Sequence, residues 1–152
     1  MPHRCARQLG FTLLEIALAV TLVGILSALA YQSYRGQMER LRENQAITDI
    51  NKLSLQLQRW QTTTFSFPET LAEAGLDGEL DPWGNPYVYL NVATAKKNDV
   101  RKDKNLHPLN TDFDLYSMGP DGATKVPLTA QVSRDDIIRA NNGSFVGRAE
   151  DY

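Results

Sequence analysis

"RQLGFTLLEIALAV", residues 7–20, sets one carboxylate, Glu15, near the start of an apolar run. Glu15 is the only charged residue between Phe11 and Tyr34, and residues 16–31 carry no charge at all. A helix rises about 1.5 Å per residue, so this segment is long enough to cross the roughly 30 Å hydrocarbon core of a bilayer. A lone carboxylate in hydrocarbon costs about 2.5 kcal/mol or more on insertion scales, so it needs a partner.

The flanks narrow the choice. Arg4 and Arg7 precede the run, which keeps the N-terminus in the cytoplasm and sends the rest of the chain across the membrane. An ordinary secretory signal would be cut after the run, where "SALAYQS" (27–33) offers a weak small-residue site, but that leaves Glu15 unexplained. The short basic leader ending in Gly10, followed by Phe11-Thr12-Leu13-Leu14-Glu15, resembles the class III signal of type IV pilins and type II secretion pseudopilins. The resemblance implies that a prepilin peptidase cuts between Gly10 and Phe11, that the new amine of Phe11 is methylated, and that the helix stays with the mature protein. It also implies that Glu15 meets the N-terminal amine of a neighbouring subunit.

Elementary electrostatics agrees with that implication. Cleavage would give Phe11 a cationic amine four residues from Glu15, and opposite charges attract far more strongly in a low dielectric than in water. Desolvation cancels much of that gain, so such a pair is better suited to fixing axial register than to adhesion. A plain anchor whose Glu15 reaches back to the headgroups is the simpler alternative.

Composition excludes several function classes. The 152-residue chain has 16 basic and 18 acidic residues, a formal charge of −2, and no basic patch interleaved with aromatics, so nucleic acid is not an expected partner. Cys5 is the only cysteine and His3 and His107 the only histidines, which rules out an intramolecular disulfide and a Cys/His zinc cluster. His107, in "KNLHPLN" (104–110), reads as a surface-loop residue and not as a catalytic base.

Beyond the apolar run, Met38, Leu41, Ile47, Ile50, Leu53, Leu57 and Trp60 recur mostly at steps of three and four, and no proline lies between Pro2 and Pro68. The pattern predicts one helix from about Thr12 to Trp60 whose outer stripe buries a small domain. The expected divisions are a leader at 1–10, a membrane and assembly helix at 11–34, its amphipathic continuation at 35–62, and a globular domain at 63–152. Within the last, a short helix is expected from Glu69 to Ala74 with Gly75 as its stop, and strands at 86–92 and 112–118. The interval 95–110, with Lys96, Lys97, Arg101, Lys102 and Lys104, reads as an exposed, solvated connection. The tail "NNGSFVGRAEDY" (141–152) reads as exposed, with Asn142-Gly143-Ser144 forming a turn.

"DPWGNPYVY" (81–89), "DLYSMGPDG" (114–122) and a later Asp-Asp pair narrow the resemblance to the major, G-type pseudopilins. That resemblance implies a structural calcium ion held by Asp121, Asp135 and Asp136, helped by backbone carbonyls around Leu115 and Ser117. Calcium takes six to eight oxygens, which three carboxylates, main chain and water would supply. Here "GATKVPLTAQVSR" (122–134) lengthens the loop before the pair, and its Lys125 and Arg134 are groups able to displace the pair or substitute for the ion. The alternative puts Asp121 in a simple Pro-Asp-Gly turn and Asp135 at the start of a short helix, "DDIIRANN" (135–142).

Together these expectations describe a pilin-like α+β protein with a long membrane-spanning N-terminal helix packed on a small antiparallel sheet. The resemblance implies a structural subunit, not an enzyme, anchored once in a bacterial inner membrane with its C-terminal domain in the periplasm. It would self-assemble into a short homopolymeric filament that drives type II secretion. Its implied partners are the prepilin peptidase, minor pseudopilins and an inner-membrane assembly platform. The alternative is a type IV pilin or minor pilin for adhesion, motility or DNA uptake, disfavoured because no C-terminal cysteine pair is present. A periplasmic hydrolase using the acidic loop would need a cleft and a tuned acid, and no sequence feature specifies either.

Overall fold

The computed structural model describes residues 11–152; the leader, with Gly10, Arg4, Arg7 and Cys5, lies outside the described residues. The chain divides into two compact units, Met1–Glu39 and Arg40–Tyr152.

In the first unit the helix α1 (Leu13–Thr64) begins at a defined cap. The Glu15 amide donates to Thr12 Oγ1 at 3.2 Å, so Thr12 is the N-cap and Glu15 the third residue of the helix. Every large aliphatic side chain from Leu13 to Leu29 is more than half exposed, so this stretch has no apolar partner among the described residues. Its hydroxyls are satisfied internally: Thr21 Oγ1 donates to the Ala17 carbonyl at 2.8 Å and Ser27 Oγ to the Val23 carbonyl at 2.7 Å. That is the arrangement a helix needs where water cannot help. Among the described residues this is the one helix long and apolar enough to cross a membrane. It continues without a break past Gly24, Gln32 and Gly36.

In the second unit the outer part of α1 presents Ala46, Ile50, Leu53 and Leu57, all fully buried, at steps of four, three and four. The stripe is narrower than expected, since Leu41 is 60% exposed and Trp60 only half-buried. The helix ends at Thr64. It packs on a four-stranded antiparallel sheet in the order β1 (Val88–Asn91), β2 (Phe113–Ser117), β3 (Ile137–Ala140), β4 (Phe145–Arg148). The register is fixed by Val88 opposite Tyr116, Ser117 opposite Ile137, and Ala140 opposite Phe145.

Both faces of this sheet are covered. Phe113, Leu115 and Ile137 join Tyr87 and the α1 stripe in one core. On the opposite face Ile138 and Ala140 join Leu109, Leu128 and Ala149, which come from the connections and the tail.

Double coverage accounts for two corrections. All four residues of β3 are buried, so "DDIIRANN" holds a central strand where a short helix was the alternative. The tail is not an exposed appendage: it supplies β4 and the buried Ala149, and Asn141, Asn142 and Gly143 make the positive-φ turn of the β3–β4 hairpin. A third correction concerns 69–75, where the chain makes hydrogen-bonded turns and no helix. Glu73 Oε2 accepts from the Glu69 amide at 2.7 Å and Gly75 turns away at φ 65°, so a single capped turn replaces the expected element. The interval 95–110 also departs from expectation, because Val100, Arg101, Leu109 and Asn110 turn inward and are buried.

The core contact between helix and sheet is directly testable. Ile50→Ala should lower unfolding free energy by about 2–5 kcal/mol in chemical denaturation. Leu55→Ala, at a half-exposed position of the same helix, should stay within about 0.5 kcal/mol of the parent.

Candidate functional site

Two regions collect the residues singled out by the sequence. The first is the start of α1. Phe11 is 78% exposed just before the cap, and Glu15 sits in the first turn, where the positive end of the helix dipole favours a carboxylate. The Thr12-x-x-Glu15 spacing is that of a capping box, a local signal the sequence carried and which the reading of Glu15 as a charge partner passed over. Glu15 therefore has a reason to sit at this position within its own helix, while its carboxylate remains exposed on it. Gly10, the other half of the expected cleavage site, lies outside the described residues.

The second region lies around the β2–β3 connection. The two blocks that carried the narrower resemblance hold each other in place there. Asp81, 4% exposed, accepts from the amides of Trp83 and Asn85 through Oδ1 and from Ser117 Oγ through Oδ2 at 2.5 Å. Ser117 Oγ in turn accepts from the Gly119 amide, and Asn85 Nδ2 donates to the Gly119 carbonyl at 3.1 Å. "DPWGNP" and "SMGPDG" thus form one closed hydrogen-bonded corner, and Ser117 serves it with its side chain. Leu115, the other expected carbonyl donor, is a buried β2 residue opposite Tyr89.

The three expected carboxylates have different fates. Asp121 is exposed, and its Oδ1 accepts from the Ala123 amide at 2.8 Å, making the simple turn that was the alternative. Asp135 is half-buried with its backbone carbonyl against Gly119, which has φ 65°. Asp136 is fully buried and accepts from Arg101 Nη2 at 2.7 Å and from Thr124 Oγ1 at 2.6 Å. Burial pushes the Asp136 carboxyl up to about 6, and the Thr124 hydrogen bond and the Arg101 charge oppose that rise.

Among the described residues no group of three or more acidic, histidine or cysteine side chains is placed to hold a metal ion. The donor set at Asp136 does not fit calcium, because the carboxylate oxygen that would be a ligand already faces a guanidinium. Arg101 was placed with the solvated basic residues of 95–110; no local signal marks it, since its partner lies 35 residues further along the chain.

Comparison with known proteins bears on the first region and on the chain as a whole. The family described as the prokaryotic N-terminal methylation motif matches residues 5–31. The type II secretion system core protein G of Pseudomonas aeruginosa is 31% identical, over 76% of this chain and 86% of the relative. The protein of the same name in Escherichia coli K12 is 28% identical, over 76% of this chain and 84% of the relative. A fimbrial protein of Neisseria meningitidis is 25% identical, over 89% of this chain and 81% of its own. No solved structure matches significantly.

The close approach at Gly119 generates a prediction. A Cβ there would lie 2.5 Å from the Asp135 carbonyl oxygen, on a backbone that side chains rarely adopt. Gly119→Ala should therefore destabilise the domain by more than about 1 kcal/mol in denaturant titration, whereas Gly78→Ala, which meets no atom, should cost less.

Proposed function

The chain belongs to the family of type II secretion system core protein G, and on that premise we propose that it is the pseudopilin subunit of a short filament that drives type II secretion. The observation that carries this reading is the start of α1: an aliphatic helix surface exposed on all sides, with a single carboxylate in its first turn. Such a surface needs lipid before assembly and neighbouring helices after it.

The subunit is held by one span in the bacterial inner membrane, with the leader in the cytoplasm and Arg40–Tyr152 in the periplasm. A prepilin peptidase cuts between Gly10 and Phe11, and Phe11 is methylated. The cationic amine of one subunit then meets Glu15 of the next and sets the axial step between helices that otherwise slide freely. Minor pseudopilins and an inner-membrane assembly platform are the remaining partners. A surface pilus is the weaker reading, because the fimbrial relative is 25% identical against 31% for the secretion protein of Pseudomonas aeruginosa.

Two substitutions at one position separate the charge from the cap. Glu15→Ala and Glu15→Gln should both leave membrane insertion and removal of residues 1–10 intact, as judged by gel mobility, while reducing filaments seen by electron microscopy at least tenfold, the equivalent of about 1.4 kcal/mol. Glutamine keeps the capping geometry without the charge. Normal filaments from Glu15→Gln would count against pairing with an amine.

A further inference from the structure

We infer that Arg101 supplies, from within the chain, the positive charge that a divalent cation would otherwise supply beside Asp136, so that the β2–β3 connection is locked to the sheet without calcium. The lock is fully buried: the Arg101 side chain is 2% exposed and that of Asp136 0%. Arg101 Nη2 reaches Asp136 Oδ2 at 2.7 Å, Arg101 Nη1 donates to Thr124 Oγ1, and Thr124 Oγ1 donates to Asp136 Oδ2 at 2.6 Å. Thr124 belongs to the lengthened segment 122–134, so the segment that separates Asp121 from the acidic pair also contributes a member of the lock.

Besides its bond to Thr124, the arginine is held in place from four directions. Its amide donates to Asp114 Oδ2 at 2.7 Å, its carbonyl accepts from the Leu109 amide at 2.9 Å, and its guanidinium lies 4.3 Å from the centroid of the Tyr116 ring. The fourth hold is the Asp136 carboxylate itself. The same segment is closed at its other end by Ser133 Oγ, which accepts from the Lys125 amide at 2.8 Å and donates to the Lys125 carbonyl at 2.9 Å. Lys125 and Arg134, the cations nearer in sequence, are both exposed.

A divalent ion has no room in this arrangement, on grounds of charge and of ligand count. Placed beside Asp136 Oδ2 it would meet a guanidinium fixed within a few ångströms, and like charges in a buried site repel strongly. Asp136 itself offers only Oδ1, buried with no hydrogen-bond partner, and among the described residues no group of three acidic side chains gathers to bring the count toward the six to eight oxygens that calcium requires. Arginine suits the role because it stays charged and its flat fork reaches two oxygens at once.

The test is thermal unfolding of the full chain in detergent, with millimolar calcium or with excess chelator. The wild-type Tm should be the same in both. Arg101→Ala should lower it by roughly 10 °C or more, because a buried carboxylate loses its counter-charge. Arg101→Met combined with Asp136→Leu should recover most of that loss. A wild-type Tm that falls on chelation overturns the inference, and so does an Arg101→Ala chain that unfolds at the wild-type temperature. If Arg101→Ala does not fold, the wild-type comparison and the double variant decide.

Discussion

A helix whose large aliphatic side chains stand exposed must find a solvent other than water, and that constraint governs the first unit. Between Leu13 and Leu29 each large aliphatic side chain stands more than half exposed, and the hydroxyls of Thr21 and Ser27 fold back onto their own helix. The segment thus asks nothing of its surroundings except that they be apolar. Lipid meets that condition, and so do identical helices from other subunits. Between two such surroundings the hydrophobic effect gives little direction, because lipid tails are as apolar as leucine. Direction has to come from a polar group, and Glu15 is the only charged one between Phe11 and Tyr34. Its position in a capped first turn fixes where that charge is presented.

The second unit solves a different problem, a sheet too small to be left bare on either side. The α1 stripe covers one face, and the connections and tail cover the other. Burying the connections brings charges inside, and two buried arginines are met there by carboxylates. Arg139, 1% exposed, reaches Asp112 at 2.6 Å with its guanidinium 4.0 Å from the Phe113 ring centroid, and Arg101 reaches Asp136. At the periphery Arg148 joins β4 to Glu43 of α1 at 2.7 Å. Buried pairs of this kind contribute little net stability when intact but cost heavily when broken, so they specify one arrangement of long connections more than they strengthen it.

What the sequence revealed followed from how local the signals were. The long helix was legible because charge is absent for a full membrane width and proline is absent for far longer. Strands β1 and β2 were legible from runs such as Tyr87-Val88-Tyr89 and Phe113 to Tyr116 beside strong turn residues. Strand β3 was not, because burial on both faces removes the alternation that marks a half-exposed strand, and Arg139 within it reads as a solvent residue. Strand β4 was hidden for the related reason that Gly147 and Arg148 look like tail residues until Ile138 and Ile137 are set opposite them. At the N-terminus the motif and the capping box were both local, so Glu15 could be found by pattern alone. Arg101 could not, because its meaning depends on Asp136 and Thr124, which only the fold brings to it.

The central claim is that residues 7–20 encode a processing site, a new amine and the carboxylate that answers it. The mass of the mature N-terminus, measured on protein extracted from its native membrane, tests this most directly. The account predicts a chain that begins at Phe11 and carries one additional methyl group on its amine. A chain that begins at Met1, or near Tyr31 after an ordinary signal cleavage, would contradict it.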